Sequence, residues 1–429
     1  MITEQITENA KAILLLCGRF GAGDDAGLSP LSIKEYDEVA TWLIRRDWWP
    51  SDLLNAANLH ALDDPFLPAD VVRMKALLAR GGAMALAIEK WTNKGLWVLC
   101  RSDQGYPQRL KQHLKRNAPP ILYGAGEREL LSKGGLAVVG SRNIDTDAAD
   151  FAREVGRCAA EEGMQLVSGA ARGVDETAMH GAFSAGGSVV GVMADSLLRA
   201  AVSGKYREGI RDGQLVLVST FNPEAGFNVG NAMGRNKYIY ALADHAVVVS
   251  ADHEQGGTWA GAEEELKREG GKPVFVRTGT NVPKGNNELI KLGGLPFPDD
   301  ALNGNLKEAL KNASARTTAS VPATTETLPT AVQPEPPDQS WRVRETPPTK
   351  EANPAALAAS VYEVVKPLIL KGLEKPKTLD DLAKELQVRK LQLQDWVRLL
   401  IADGAIEERA IRKVKKLALR KASEELRLS

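Results

Sequence analysis

The sequence has few cysteines and no long apolar run, and both absences restrict the class of protein. Only three cysteines occur in 429 residues, Cys17, Cys100 and Cys158, and none forms a CxxC pair or clusters with histidine. A zinc site and a disulfide framework are therefore not expected. No run approaches the roughly 18 apolar residues of a membrane-spanning helix, and the run Ile13–Leu16 is too short for a signal peptide. We therefore expect a cytoplasmic protein with no membrane contact and no bound metal.

The chain also lacks a net charge, because 55 Lys and Arg balance 55 Asp and Glu. No overall field attracts nucleic acid, so any basic surface must come from local segregation of charge. Such segregation occurs at the C-terminus, where residues 354–429 contain 16 Lys and Arg against 11 Asp and Glu, a net charge of +5. This basic end favours a surface that faces DNA.

Length and composition predict four regions. Residues 1–92 carry apolar residues at three-to-four spacing, which indicates a helical N-terminal domain. Residues 93–311 form an α/β core, and residues 312–354, rich in Ala, Ser, Thr, Pro and Glu, are typical of a disordered linker. Residues 355–429 predict three helices and a hairpin, which fits a winged helix-turn-helix. Such a module binds either DNA or a protein partner, and the sequence leaves both open.

Short apolar strands alternate with helical segments through the core. Runs that are apolar on both faces and separated by helices are typical of a parallel sheet covered on both sides, so the core is predicted to be Rossmann-like. Two prolines before Ile121 favour an extended lead-in to this sheet. The predicted strands are Leu136–Val139, Gln165–Val167, Ser188–Met193, Leu215–Val218, Ala246–Ser250 and Pro273–Val276. The predicted helices lie near Thr146–Glu162, Val174–Ala185, Ala232–Ala243 and Ala260–Arg268.

Two of these strands end in turns that contain glycine and arginine. The first turn is Gly140-Ser141-Arg142-Asn143, and the second runs from Ser168-Gly169 to Arg172-Gly173. A glycine turn between a strand and a helix often binds phosphate, although one such turn alone is a weak signal. The first turn lacks the GxGxxG spacing, and no acidic residue follows the second strand to hold a ribose. A dinucleotide is therefore disfavoured, and we expect no cofactor.

Two later segments carry the same chemistry. Arg235-Asn236-Lys237 lies at a predicted helix, and Gly257-Thr258 follows the fifth predicted strand. Because the carboxyl ends of parallel strands meet at one edge, Arg142, Arg172, Arg235 and Lys237 are expected to converge on one groove. The alternative is a set of unrelated, solvated side chains.

In these motifs the chain resembles the DNA processing protein A family, also called DprA or Smf. The resemblance covers about Tyr106 to Val276, and residues 355–418 also resemble the winged-helix tail of the family. The motifs, in order, are Tyr106-Pro107, Pro120–Tyr123, Val138–Arg142, Ser168-Gly169, Ala171–Asp175, Arg235–Lys237 and Gly257–Trp259.

The resemblance implies a cytoplasmic, homodimeric, non-enzymatic protein that binds single-stranded DNA. Such proteins protect incoming strands and load the RecA recombinase during natural transformation and recombination. Trp259 would then be either a stacking face or, as we expect, a buried side chain. The residues that the resemblance assigns to the strand groove are Gly140, Ser141, Arg142, Ser168, Gly169, Arg172, Gly173, Arg235, Asn236, Lys237, Gly257 and Thr258.

A second family offers an alternative function. Gly256-Gly257 followed by Glu263 is similar to the glycine-rich, glutamate-bearing loop of the lysine-decarboxylase-like nucleotide phosphoribohydrolases. Glu263 would there act as a general acid or base on a bound nucleotide. However, the Gly-Thr pair that completes that loop is missing, and Glu263 also fits an ordinary solvated helix face.

Overall fold

The computed structural model describes residues 6–20, 28–319, 366–367, 369–373, 375–386, 390–411 and 414–419. The chain divides into two compact units, residues 1–318 and 319–429, which are described separately. Within the described residues, no helix is both long and apolar enough to cross a membrane.

Four α-helices form the region that the sequence predicts to be helical. They are α1 (Glu8–Cys17), α2 (Ile33–Arg45), α3 (Val71–Leu78) and α4 (Gly81–Thr92), with 3-10 helices at Pro50–Leu54 and Ala56–Asp63. Ser32 begins α2 through a capping box, in which its side chain accepts from the N–H of Glu35 and its own N–H donates to the Glu35 carboxylate.

A nine-stranded sheet follows in the order β1-β2-β6-β5-β4-β3-β7-β8-β9. Strands β3 to β9 are parallel to one another, whereas β2 pairs antiparallel with β6 and β1 pairs antiparallel with β2. All six predicted strands are present, with bounds that differ by at most two residues. The strands are β1 (Trp97–Cys100), β2 (Ile121–Gly126), β3 (Leu136–Val139), β4 (Leu166–Ser168), β5 (Val189–Val192), β6 (Leu215–Ser219), β7 (His245–Val248), β8 (Val274–Val276) and β9 (Leu295–Pro296).

Helices cover both faces of the sheet, which explains why its strands are apolar without alternation. Successive residues of β3 point into two different cores: Leu136 and Val138 into one, Ala137 and Val139 into the other. The four predicted helices are present, as Thr146–Glu161, Val174–Ser184, Val229–Leu242 and Gly256–Leu266. The helices of this part are α5 (Gln108–Leu114), α6 (Leu130–Lys133), α7 (Thr146–Glu161), α8 (Val174–Ser184), α9 (Leu197–Ala201), α10 (Gly204–Arg211), α11 (Val229–Leu242), α12 (Gly256–Leu266), α13 (Lys284–Lys291) and α14 (Leu306–Ala319).

The N-terminal helices share one hydrophobic core with the sheet. Trp91 of α4 is fully buried and packs edge-on against Tyr123 of β2, with ring centroids 5.1 Å apart. Trp42 is also a core residue, with 6% of its surface exposed. Residues 1–318 are therefore one compact unit, in which the helical region is not separate from the sheet.

The predicted linker differs from the structure at its start. Residues 312–319 belong to α14, because Leu306 and Leu310 are fully buried against the core and anchor this helix. The Glu162 carboxylate accepts hydrogen bonds from the N–H groups of Leu306 and Lys307, which satisfies two donors of the first turn. The rest of the predicted linker lies outside the described residues.

The second unit contains two described helices and a hairpin. The helices are α15 (Leu379–Glu385) and α16 (Lys390–Ala402), and β10 (Ile406–Ile411) pairs antiparallel with β11 (Val414–Leu419). Thr378 caps α15 by accepting from the N–H of Asp381, and Gly404 ends α16 with φ +70°. Most of the first helix predicted for this region, residues 355–370, lies outside the described residues.

Candidate nucleic-acid interface

The carboxyl edge of the parallel sheet contains a topological switch point. From β3 the chain adds β4, β5 and β6 on one side of the sheet, and then returns to add β7, β8 and β9 on the other. The loops after β3 and β7 therefore leave the sheet in opposite directions. Ligands of open α/β sheets bind in the crevice at such a point.

Short backbone contacts join the loops after β3, β4 and β7. The N–H of Ser141 donates to the carbonyl of Ser250 at 3.0 Å, and the N–H of Val174 donates to the carbonyl of Ser141 at 3.3 Å. Gly173 has φ +92°, and a Cβ there would lie 2.4 Å from the Ser141 carbonyl oxygen. A Cβ on Gly140 would lie 2.4 Å from Val174 Cγ2. Glycine is thus required at both positions because the loops approach each other closely.

Ser168 lies inside this edge and not on its surface. Its side chain is fully buried, and its Oγ donates to the carbonyl of Val138 at 2.6 Å. This hydrogen bond ties β4 to β3 directly beneath the loops. Ser168 therefore supports the loops that carry the exposed residues.

The structure places Arg235 beneath the loop edge, with only 5% of its surface exposed. Its Nη1 donates to the carbonyl of Val192 at 3.1 Å and lies 3.7 Å from Asp175 Oδ2. A Cβ on Gly169 would lie 1.2 Å from Nη1, so the absence of a side chain at Gly169 makes room for the guanidinium. Arg235 thus fills the space under the β4 turn.

Asp175 is the anion that faces both glycine turns. Burial raises the pKa of its carboxyl, and the charge of Arg235 with hydrogen bonds from the N–H groups of Ala171, Gly169 and Gly140 opposes that shift. Burial also lowers the pKa of Arg235, against the effect of Asp175, although an arginine keeps its charge at physiological pH. The N–H groups predicted to bind phosphate thus face a carboxylate of the chain itself.

Arg142 and Arg172 are the two predicted arginines that are exposed at this edge. Nη2 of Arg172 donates to Oδ1 of Asn143 at 2.7 Å, and the guanidinium of Arg142 lies 4.9 Å from the ring centroid of Phe227. Among the described residues, neither arginine forms an ion pair with a carboxylate. Two guanidinium groups with unneutralised charge therefore lie on adjoining loops, which favours an anionic ligand.

Asn236 and Lys237 face α12. Nδ2 of Asn236 donates to the carbonyl of Gly257 at 2.6 Å, which ties α11 to the first turn of α12 that Thr258 shares. Burial lowers the pKa of Lys237, and the charged groups that act on it are Glu264 and Arg268 of α12. The positive charge of Arg142, in contrast, acts on Arg235 and contributes to lowering its pKa. The structure thus links Arg142, Arg172 and Arg235, whereas the charged neighbours that act on Lys237 lie on α12.

The sequence analysis did not predict two residues at this edge, the aromatic Phe227 and the basic Arg277. Phe227 lies in the loop before α11, where no motif marks it, and Arg142 stacks on it. Arg277 directly follows β8 at the same edge, and its guanidinium lies 5.4 Å from the Phe151 ring centroid. A cation directly after an apolar strand is the signal that would have identified Arg277. Trp259 is 6% exposed and packs edge-on against His253, so it is buried, as expected.

Glu263, the candidate acid or base of the alternative function, forms a helix-face ion pair. Its carboxylate lies 2.7 Å from Nζ of Lys267, and this partner lowers the pKa of Glu263. A general acid at neutral pH needs the opposite shift. Within the described part of the chain, no group of three or more His, Cys, Asp and Glu side chains is arranged to hold a metal ion.

Comparisons with known proteins show what the part of the chain that carries this edge is similar to. Residues 97–297 match the family model of DNA recombination-mediator protein A. DNA processing protein DprA of Bacillus subtilis (strain 168) is 26% identical over 200 residues, which cover 44% of this chain and 63% of that protein. The match thus spans less than two thirds of the relative.

Two solved structures of DNA processing protein A are similar. The protein from Streptococcus pneumoniae matches with a TM-score of 0.53 and 19% identity, over 68% of this chain and 95% of that one. This likeness shows the fold. The protein from Helicobacter pylori, described for its binding mode for single-stranded DNA, matches with a TM-score of 0.41 and 24% identity, over 50% of this chain and 96% of that one.

Proposed function

We propose that the chain is a member of the DprA family, whose model its residues 97–297 match, and that it binds single-stranded DNA without catalysing a reaction. The observation that carries this proposal is the pair Arg142 and Arg172, two exposed guanidinium groups on adjoining loops beside the switch point of the sheet. Within the described residues neither has a carboxylate partner.

The proposed mechanism is electrostatic. Arg142 and Arg172 bind phosphates of the strand and release counterions, which makes affinity independent of sequence and strongly dependent on salt. The glycine turns supply closely packed loops, and the buried pair of Arg235 and Asp175 holds these loops in place. Ser168 has the same supporting role through its hydrogen bond to the sheet.

The finer functional assignments of the proposal rest on the resemblance to this family. The protein forms a homodimer in the cytoplasm, protects incoming strands and loads the RecA recombinase in transformation or recombination. The second unit acts as a winged helix. Its described helices and hairpin support that assignment, and the excess of cations in residues 354–429 favours contact with DNA over contact with a protein partner.

The test of this proposal is fluorescence anisotropy with a labelled oligonucleotide of mixed sequence. The intact protein should bind the single strand at low salt, independently of sequence, and more tightly than the matching duplex. Absence of binding at low salt would refute the proposal. Equal affinity for the single strand and the duplex would refute the proposed selectivity for single-stranded DNA.

The nucleotide phosphoribohydrolase alternative is weaker, because the carboxylate of Glu263 is paired with Lys267 and its pKa is lowered. Incubation of the protein with nucleoside monophosphates, followed by chromatography, should detect no free base. Release of base that Glu263→Gln abolishes would establish the alternative.

A further inference from the structure

An exposed apolar stripe adjoins the arginine edge. Three large apolar side chains lie within seven residues of each other: Phe227 is 57% exposed, Val229 is 63% exposed and Met233 is 44% exposed. Val229 and Met233 are four residues apart on α11 and therefore share one face of this helix. Single exposed apolar residues need no explanation, but a group of three beside a candidate binding edge does.

The stripe has defined neighbours at both ends. At one end the guanidinium of Arg142 lies 4.9 Å from the Phe227 ring centroid. At the other end Met233 lies beside the first turn of α12, because its Cγ would be 3.9 Å from a Cβ on Gly257. The segment that carries the three side chains thus has Arg142 of the loop after β3 at one end and the first turn of α12 at the other.

Arg142 couples this apolar surface to the charged one. A guanidinium over an aromatic face keeps its outward N–H groups available to a phosphate, and the ring keeps exposed surface for a second flat group. A single DNA strand offers just these two chemical elements in alternation, phosphates along its backbone and flat bases beside them. A protein partner would need carboxylates opposite Arg142 and Arg172, in addition to an apolar side chain for Phe227.

We propose that Phe227, flanked by Val229 and Met233, is a stacking site for unpaired nucleobases, and that Arg142 binds the adjacent phosphate. This inference rests on the proposed function and adds its source of selectivity. A duplex buries the faces of its bases, so only a single strand uses both the ring of Phe227 and the guanidinium of Arg142. The occupant is the strand itself, and a second copy of the chain is the competing occupant.

The first test compares Phe227→Ala with Phe227→Tyr and with Phe66→Ala in anisotropy titrations. Phe66 is 84% exposed in the N-terminal helical region, so its substitution is the matched control for loss of an exposed ring. Phe227→Ala should weaken single-strand binding by about 5-fold to 150-fold, as expected for loss of a stacked base, with the salt dependence nearly unchanged. Phe227→Tyr should retain most of the affinity, and Phe66→Ala should retain all of it.

The second test asks for direct contact and does not depend on a variant. Photocrosslinking of the wild-type protein to an oligonucleotide that contains 5-iodouracil, followed by mass spectrometry, should modify the peptide that contains Phe227. Circular dichroism should show that Phe227→Ala unfolds at nearly the wild-type temperature, because this ring is largely exposed.

The outcomes separate this inference from the proposed function. If the wild-type protein fails to bind a single strand, the proposed function itself is refuted. If the wild-type protein binds but Phe227→Ala binds equally well and no crosslink maps to its peptide, only the stacking site is refuted. Unchanged DNA binding with a change of oligomeric state in ultracentrifugation would assign the stripe to contact between copies, which also refutes it.

Discussion

Substitution of Asp175 tests whether Arg235 supports the loops or contacts DNA itself. Both side chains are 7% exposed, and 3.7 Å separate Nη1 of Arg235 from Oδ2 of Asp175. Asp175→Asn leaves the guanidinium buried without its closest anion, and removal of one partner from a buried pair costs about 3–5 kcal/mol. Arg235 keeps its hydrogen bond to Val192 and some attraction from Asp195. We therefore expect Asp175→Asn to lower the free energy of unfolding by about 3 kcal/mol, near the lower end of this range.

A double-mutant cycle measures this effect in the full chain. Asp175→Asn, Arg235→Met and the double variant are unfolded in urea and followed by circular dichroism. With a slope of about 3 kcal/mol per molar urea, the midpoint of Asp175→Asn should fall by about 1 M. The double variant should lose much less stability than the sum of the single losses, because it contains neither buried charge.

Two results would refute this reasoning. Additive losses in the cycle would mean that the two side chains do not interact. If Arg235→Met left stability unchanged but reduced the salt dependence of DNA binding by about one phosphate contact, Arg235 would be a direct DNA ligand.

Two further predictions concern the ion pair of Glu35 with Arg73 and the tight turn at Gly169. Hydrogen bonds from Arg73 and the Ser32 backbone hold the pKa of Glu35 at about 2, below its ordinary value of 4.5. The ionised carboxylate therefore stabilises the fold above pH 4.5, and this stabilisation is lost as the pH falls towards 2. Because the Glu35 side chain is 35% exposed, screening reduces this contribution to about 1 kcal/mol, which urea midpoints across that pH range should show. Gly169→Ala should destabilise the protein by about 1–3 kcal/mol in the same assay, since the new methyl group overlaps the Arg235 guanidinium.

Each of these predictions has a control. Glu35→Gln should give a flatter loss of stability between pH 4.5 and 2 than the wild-type protein, and equal slopes would argue against the assignment. Gly204 begins α10 and has no atom within 4 Å of a Cβ built on it, so Gly204→Ala should be nearly neutral. Equal losses for the two glycine variants would show that crowding at Gly169 is not the cause.

The sheet was predictable because its signal is local. A run such as Leu136–Val139 is apolar, short and bounded by glycine, and the structure places a strand at those residues. The pairing of β2 with β6 was not predictable, since it joins Tyr123 to Ser219 across almost a hundred residues. The proline pair before β2 indicated an extended segment but not its neighbour or its direction.

The candidate site was only partly predictable for the same reason. The positions of Arg142 and Arg172 follow from their place after adjacent parallel strands. The burial of Arg235 depends on Val192 and Asp175, which lie on other elements, and nothing in the sequence around Arg235 marks it as buried. In the sequence, Gly169 indicates only a turn. Its second role, to leave room for the guanidinium of Arg235, is visible only in the structure.

The central claim is that Arg142 and Arg172 bind phosphates of a single strand. The most direct measurement is the slope of binding affinity against salt for Arg142→Ala/Arg172→Ala, beside the control Arg153→Ala/Arg211→Ala, which removes two exposed arginines that each pair with an acid. Loss of two phosphate contacts should reduce the slope by about 1.4, so that wild-type binding falls about 7-fold more than that of the variant between 50 and 200 mM salt. The control should keep the wild-type slope. An unchanged slope in Arg142→Ala/Arg172→Ala would contradict the claim.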